Sequence, residues 1–226
     1  MSVTEEDILS FDVYGLIKQV KAIKDKNNAV LDATGGRFNI FQILGVKQHE
    51  TTHSKIIASF LNPKGTHGMK ERFLELFLEE CFSGEDLCEF NFECKNAVVK
   101  TESYAPTEGT QGRIDILITP GAKRIVIENK LLAGDQKGQL KRYAHWSQKN
   151  SADFKILYLT KDGHEASEQS GDGIDYKTIS YKEEILNWLE KCCSESSKLP
   201  LVRETLVQYA NLIRNYTGES MSTKAT

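Results

Sequence analysis

Two acidic side chains and a lysine punctuate an otherwise apolar stretch, Gly112-Arg-Ile-Asp-Ile-Leu-Ile-Thr-Pro-Gly-Ala-Lys-Arg-Ile-Val-Ile-Glu-Asn-Lys130. Two apolar runs flank a Thr-Pro-Gly turn, the pattern of a β-hairpin. If the hairpin closes near residues 121–122, Asp115 stands opposite Glu128, and directly opposed residues share a sheet face with Cβ atoms about 5 Å apart. Lys130, two residues beyond Glu128, falls on the same face. Two carboxylates and an ammonium are then gathered within an otherwise apolar sheet. Like carboxylates in a partly buried site repel unless a cation neutralises them. Lys130 alone would make a structural ion network. A hard divalent ion with oxygen ligands, Mg²⁺ or Mn²⁺, would make a hydrolytic centre. Geometry alone leaves both open, and a register slip of one residue would part the pair.

The elements that must position this stretch follow from the periodicity. Apolar positions at Ile8, Val13, Leu16, Ile17, Val20 and Ile23 predict a helix over 5–26. A second helix is expected over 49–61, stopped by Asn62-Pro63, and a third from Met69 to Phe82 with Phe73, Leu74, Phe77 and Leu78 as its buried stripe. The period then changes. Strands are expected at Phe90–Tyr104, Arg113–Thr119, Arg124–Lys130, Phe154–Thr160 and Tyr176–Tyr181, with a helix over 135–149 between the third and fourth. Two helices, 182–193 and 200–215, close the chain. The fold class is α/β, a mixed central β-sheet of about five strands flanked by helices, with an N-terminal helical extension. One domain is expected over 1–216: a mainly helical part (1–85), an α/β core (90–182) and C-terminal helices (183–216). Residues 217–226, which have almost nothing to bury, are expected to be a disordered tail.

Composition narrows the classes further. The 226 residues are 39% hydrophobic and 27% charged, ordinary for a globular protein. No apolar run reaches the ~18 residues of a membrane span, and Met-Ser-Val-Thr-Glu-Glu lacks the basic-then-apolar pattern of a leader. A cytoplasmic protein without membrane partners is expected. The five cysteines have no paired Cys-x-x-Cys spacing and are read as idle thiols. No Gly-x-Gly-x-x-Gly or phosphate-loop sequence follows a strand, which removes the main support for nucleotide binding. The net charge of −3 gives no global pull toward nucleic acid, yet residues 121–150 carry seven basic side chains against two acidic ones, a local surplus suited to phosphate.

Asp115 followed by Glu128-Asn-Lys130 resembles the D…(D/E)-x-K signature of the PD-(D/E)XK nuclease superfamily, with Ile114 where the family name has proline. Ile125-Val-Ile-Glu-Asn-Lys-Leu131 with Asp135-Gln-Lys-Gly-Gln-Leu-Lys-Arg-Tyr143 is similar to the family, as are Glu50-Thr-Thr-His-Ser54 and Leu61-Asn-Pro-Lys-Gly-Thr-His67. Gln139 and Tyr143, an i, i+4 pair, resemble the Gln-x-x-x-Tyr of the RecB-like branch.

The resemblance implies a restriction-endonuclease-like core and a Mg²⁺-dependent nuclease, with Mn²⁺ able to substitute. DNA is the first substrate and RNA the alternative; a homo-oligomer is compatible with it. It implies Asp115 and Glu128, with a backbone carbonyl in the Val126–Ile127 region beside Glu128, as metal ligands. Lys130 is implied as the catalytic cation, and Glu50 as a further acidic residue at the metal. Gln139 and Tyr143 would hold the strand, Arg142 could reach phosphate, and His53, three residues after Glu50, could approach it. The rival class is a catalytically inactive nucleic-acid-binding or protein-interaction module on the same fold.

Overall fold

In the computed structural model, residues 5–107, 110–132, 134–171 and 173–218 are described. The chain divides into two compact units, Met1–Ile40 and Phe41–Thr226. The first holds one helix, α1 (Glu5–Thr34), which runs past the expected end at residue 26. Its apolar positions Val13, Leu16, Ile17, Val20 and Ile23 are all exposed; the Ile8 side chain of the expected stripe lies outside the described residues. Arg37 closes its C-terminal end by donating to Asp32 and Asn28.

In the second unit a five-stranded sheet runs in the order β1 (Val98–Thr107), β2 (Thr110–Thr119), β3 (Lys123–Asn129), β4 (Asp153–Thr160) and β5 (Lys177–Ser180). β1, β2 and β3 are antiparallel, and β3, β4 and β5 are parallel. The sheet is therefore mixed, with β3 at the change of direction. The Pro120-Gly121 turn between β2 and β3 is tight, and Gly121 takes a left-handed φ of 62° that side chains disfavour.

Helices cover both faces. One face packs on α3 (Glu50–Leu61), α4 (Arg72–Cys81), α8 (Leu186–Glu195) and α9 (Pro200–Thr217). There Ile116, Ile118, Ile125 and Ile127 bury against Phe73, Phe77 and Trp188. The other face carries α6 (Gln139–Asn150), the crossover from β3 to β4, whose Leu140, Tyr143 and Ala144 pack on Leu117, Val126 and Ile156. Alternate residues of β2 and β3 thus serve two cores, as strand geometry requires. This is the mixed sheet between helices that the sequence predicts.

Several boundaries differ. Residues 90–97, expected as strand, instead end a short helix, α5 (Gly84–Phe90), and then form a 3₁₀ turn (Cys94–Asn96). Ser83 and Asp86 cap that helix reciprocally and Asn91, at φ 40°, ends it. Phe90 is buried in the core, and Phe92, partly buried, stacks on it. Helix α6 begins at residue 139 rather than 135, because Gly138 is left-handed and Asp135 is occupied elsewhere. It accepts from the Tyr158 hydroxyl at 2.6 Å and the Ser167 amide at 2.6 Å. A π-helical turn (Tyr181–Ile185) precedes α8, and a four-residue helix, α7 (Glu168–Gly171), was not expected. Of the expected tail, Thr217 ends α9 and Gly218 caps it, while 219–226 lie outside the described residues.

All five cysteines are unpaired; Cys81 and Cys192 are buried. Among the described residues no helix is long and apolar enough to cross a membrane.

Candidate active site

The β2–β3 ladder pairs Ile116 with Ile127, Leu117 with Val126 and Ile118 with Ile125, the register that places Asp115 against Glu128. Both carboxylates line one cleft of about 430 Å³ with Glu50, Lys130, Gln139 and Tyr143. It opens at the carboxyl end of β3, where the parallel half of the sheet begins and α6 starts; such strand ends are where ligands gather in α/β proteins.

Glu128 is 2% exposed. Its Oε1 accepts from the Lys130 ammonium at 2.9 Å and from Gln139 Nε2 at 2.6 Å. Its Oε2 is buried with no hydrogen-bond partner. Such an atom is unfavourable and calls for a ligand. Asp115 accepts the Asn129 amide on Oδ2 at 2.7 Å. Burial first, and then the Glu128 charge, push the Asp115 carboxyl up to about 8, against the opposing pull of the Asn129 amide. Burial also raises Glu128, outweighing the pull of Lys130. At Lys130 burial opposes the charge, but Glu128 wins and holds its pKa high. The ammonium is thus kept, and the two carboxylates share too much negative charge for so dry a place. An oxygen-liganded divalent cation is the group this donor set fits.

A third carboxylate, Glu50, lines the same cleft. Among the described residues no three His, Cys, Asp or Glu side chains are arranged to hold a metal ion. Glu50, expected at the metal, lines the cleft from the first residue of α3, but its Oε1 accepts the amides of Leu131 (2.7 Å) and Leu132 (2.9 Å). Its carboxylate anchors the segment after Lys130.

Gln139 and Tyr143 project together from α6, but they turn inward. They are 5% and 1% exposed. Gln139 bridges Glu128 to the Tyr143 hydroxyl (3.1 Å), which in turn donates to the Arg113 carbonyl at 2.5 Å. Arg142 folds back on the preceding loop, donating to the Lys137 carbonyl and the Gln136 side chain.

His53 is corrected outright. It is fully buried, pairs with the Tyr209 hydroxyl at 2.8 Å, and burial pushes its pKa down to about 4. A neutral ring in the core cannot contact phosphate; α3 turns it away from Glu50 and into the packed layer.

Sequence reasoning missed the clasp behind the site. Asn129 sits on the opposite side of β3 from Glu128. It donates to the Glu50 carbonyl (3.1 Å) and Ser54 Oγ (3.0 Å), and accepts from the Tyr181 hydroxyl (2.9 Å). One side chain thus ties α3 to β3 and to the turn after β5. Tyr216 adds a bond to the Leu131 carbonyl at 3.0 Å. The available signal was that buried tyrosine hydroxyls require partners, but the partners themselves were not readable.

Because folding favours the protonated Asp115, its contribution to stability is full below the unfolded pKa and is lost as pH rises toward 8. Asp115→Asn keeps an acceptor for the Asn129 amide and removes the titration. In EDTA its melting temperature should exceed the parent's by a margin that widens from pH 4 to pH 8, reaching about 3–10 °C, in a scanning-fluorimetry series. A margin constant with pH would mean that Asp115 ionises freely.

A family model described as the PD-(D/E)XK nuclease superfamily matches residues 38–211. No curated protein and no solved structure matches the chain.

Proposed function

We propose, since the chain belongs to the PD-(D/E)XK nuclease superfamily, that it hydrolyses phosphodiester bonds with a divalent metal ion, DNA being the substrate. The observation that carries this reading is the unpartnered, buried Oε2 of Glu128 beside Asp115. These two carboxylates would hold the ion, which polarises the scissile phosphate and makes a bound water acidic.

Lys130 keeps its proton at the mouth of the pair. It orients the attacking water and offsets negative charge that develops on the phosphate. Gln139 fixes one Glu128 oxygen, and Tyr143 fixes Gln139 against β2. Both are positioning residues rather than strand contacts. Glu50 and Asn129 hold the backbone on either side of Lys130.

Gln139→Ala should therefore weaken Mn²⁺ binding by about 10–100-fold, the effect of losing a hydrogen bond behind a metal ligand. DNA affinity measured in EDTA should stay unchanged. Calorimetric titration with Mn²⁺ and fluorescence anisotropy with DNA give the two readouts. A variant that loses DNA binding and keeps Mn²⁺ affinity would return Gln139 to the strand.

The function itself is tested by incubating one sequence as linear duplex, single strand, closed circle and RNA with Mg²⁺ or Mn²⁺. Metal-dependent cleavage of DNA is expected. Cleavage of RNA alone reassigns the substrate. Binding without cleavage of any form would make the chain an inactive module on a nuclease fold.

A further inference from the structure

We propose a second nucleic-acid subsite, resting on the nuclease reading: a groove between β1, the hairpin and α6, in which Arg124, Lys100 and Trp146 hold the strand about four nucleotides from the cut.

The groove has a volume of about 710 Å³ and is lined by two cations, Lys100 and Arg124, with no carboxylate. Hydroxyls of Ser103 and Thr119 and the rings of Tyr104 and Trp146 complete it. Tyr104, 53% exposed, also lines the Asp115–Glu128 cleft, so the two depressions share a wall. Arg124 lies on the same strand as Glu128, four residues earlier and hence on the same face. Four residues of strand span about 13 Å, the length of about four stacked nucleotides at 3.4 Å each.

Arg124 is prepared for a ligand it does not have. Its guanidinium lies 4.7 Å over the Trp146 ring, and its Nε and one terminal nitrogen are buried without hydrogen-bond partners. Burial lowers its pKa with no anion to offset the cost. An arginine stacked on an indole is stiffened yet still presents a planar fork that matches phosphate. Lys100, exposed on the edge strand, adds a second charge. Tyr104, 53% exposed, provides a face on which a base stacks without regard to sequence. Single-stranded DNA fits this arrangement, because its bases are free to stack on Tyr104 while its phosphates meet Lys100 and Arg124.

The test uses single-stranded oligonucleotides of 3 to 20 residues competing against a fluorescein-labelled 20-mer in anisotropy. Ca²⁺ replaces Mg²⁺, and the DNA is checked intact by gel. Lys100→Gln and Arg124→Gln should each weaken 20-mer binding about three- to tenfold and lower the salt slope by about 0.7, the loss of one phosphate contact on a single strand. Trinucleotide affinity should be unchanged, with the full loss appearing only in oligomers longer than about four residues. Lys100 is exposed, so its variant carries the test even if Arg124→Gln folds poorly. Unchanged 20-mer binding, or an equal loss at every length, overturns the subsite. Failure of the parent to bind any single-stranded oligonucleotide overturns the subsite and leaves the nuclease reading to the cleavage test on duplex DNA and RNA.

Discussion

Glu128→Gln should lower DNA cleavage by roughly 10³-fold or more while leaving the fold intact. The substitution preserves the acceptor that holds the Lys130 ammonium and Gln139 Nε2. What it removes is the charge on the buried oxygen that has no partner. A neutral amide there gives a metal ion half of a ligand pair, and the polarisation of phosphate and water is lost with it. Stability should hold or rise, because a carboxylate at 2% exposure is costly even when paired. Cleavage of end-labelled linear DNA and Mn²⁺ titration should fail together in a protein with an unchanged melting profile. Near-normal cleavage would remove the carboxylate pair from the chemistry.

Lys130→Met should reduce turnover by about 10²–10³-fold, the scale of one lost electrostatic stabiliser, with metal binding retained at alkaline pH. The side chain is 8% exposed, so its stem packs against the cleft and methionine can replace that packing. The charge cannot be replaced. Without it Asp115 and Glu128 lose the cation that draws their pKa values down, and both hold their protons to higher pH. Metal binding must displace a proton, so the variant's Mn²⁺ affinity should recover only at a pH above the parent's. Calorimetry at pH 7 and pH 9 separates this from simple collapse. Affinity lost at both values would make Lys130 a structural partner of the carboxylates.

These two expectations rest on residues that the sequence had already brought together. The hairpin is local: two apolar strands and a Pro-Gly turn fix the register within about fifteen residues, and alternation then decides which side chains share a face. Asp115 and Glu128 needed nothing else. The same locality misled at residues 90–97, where alternating Phe90, Phe92 and Cys94 read as a strand although a Ser83–Asp86 capping box upstream had committed the chain to a helix.

The mixed sheet, the opposed carboxylates and the lysine beside them were legible in the residues alone, because periodicities of 2 and 3.6 and one tight turn act over short distances. Depth and partnership came from the packing of distant segments. Periodicity names a face but not what covers it, so His53 and Gln139 could each be placed on a helix without showing that one enters the core and the other grips Glu128. The bonds that shape the site join residues far apart in the chain, Glu50 to Leu131, Asn129 to Ser54 and Tyr216 to Leu131. Such pairings form because buried polar groups must find acceptors or donors wherever packing brings them, and packing is a property of the whole fold.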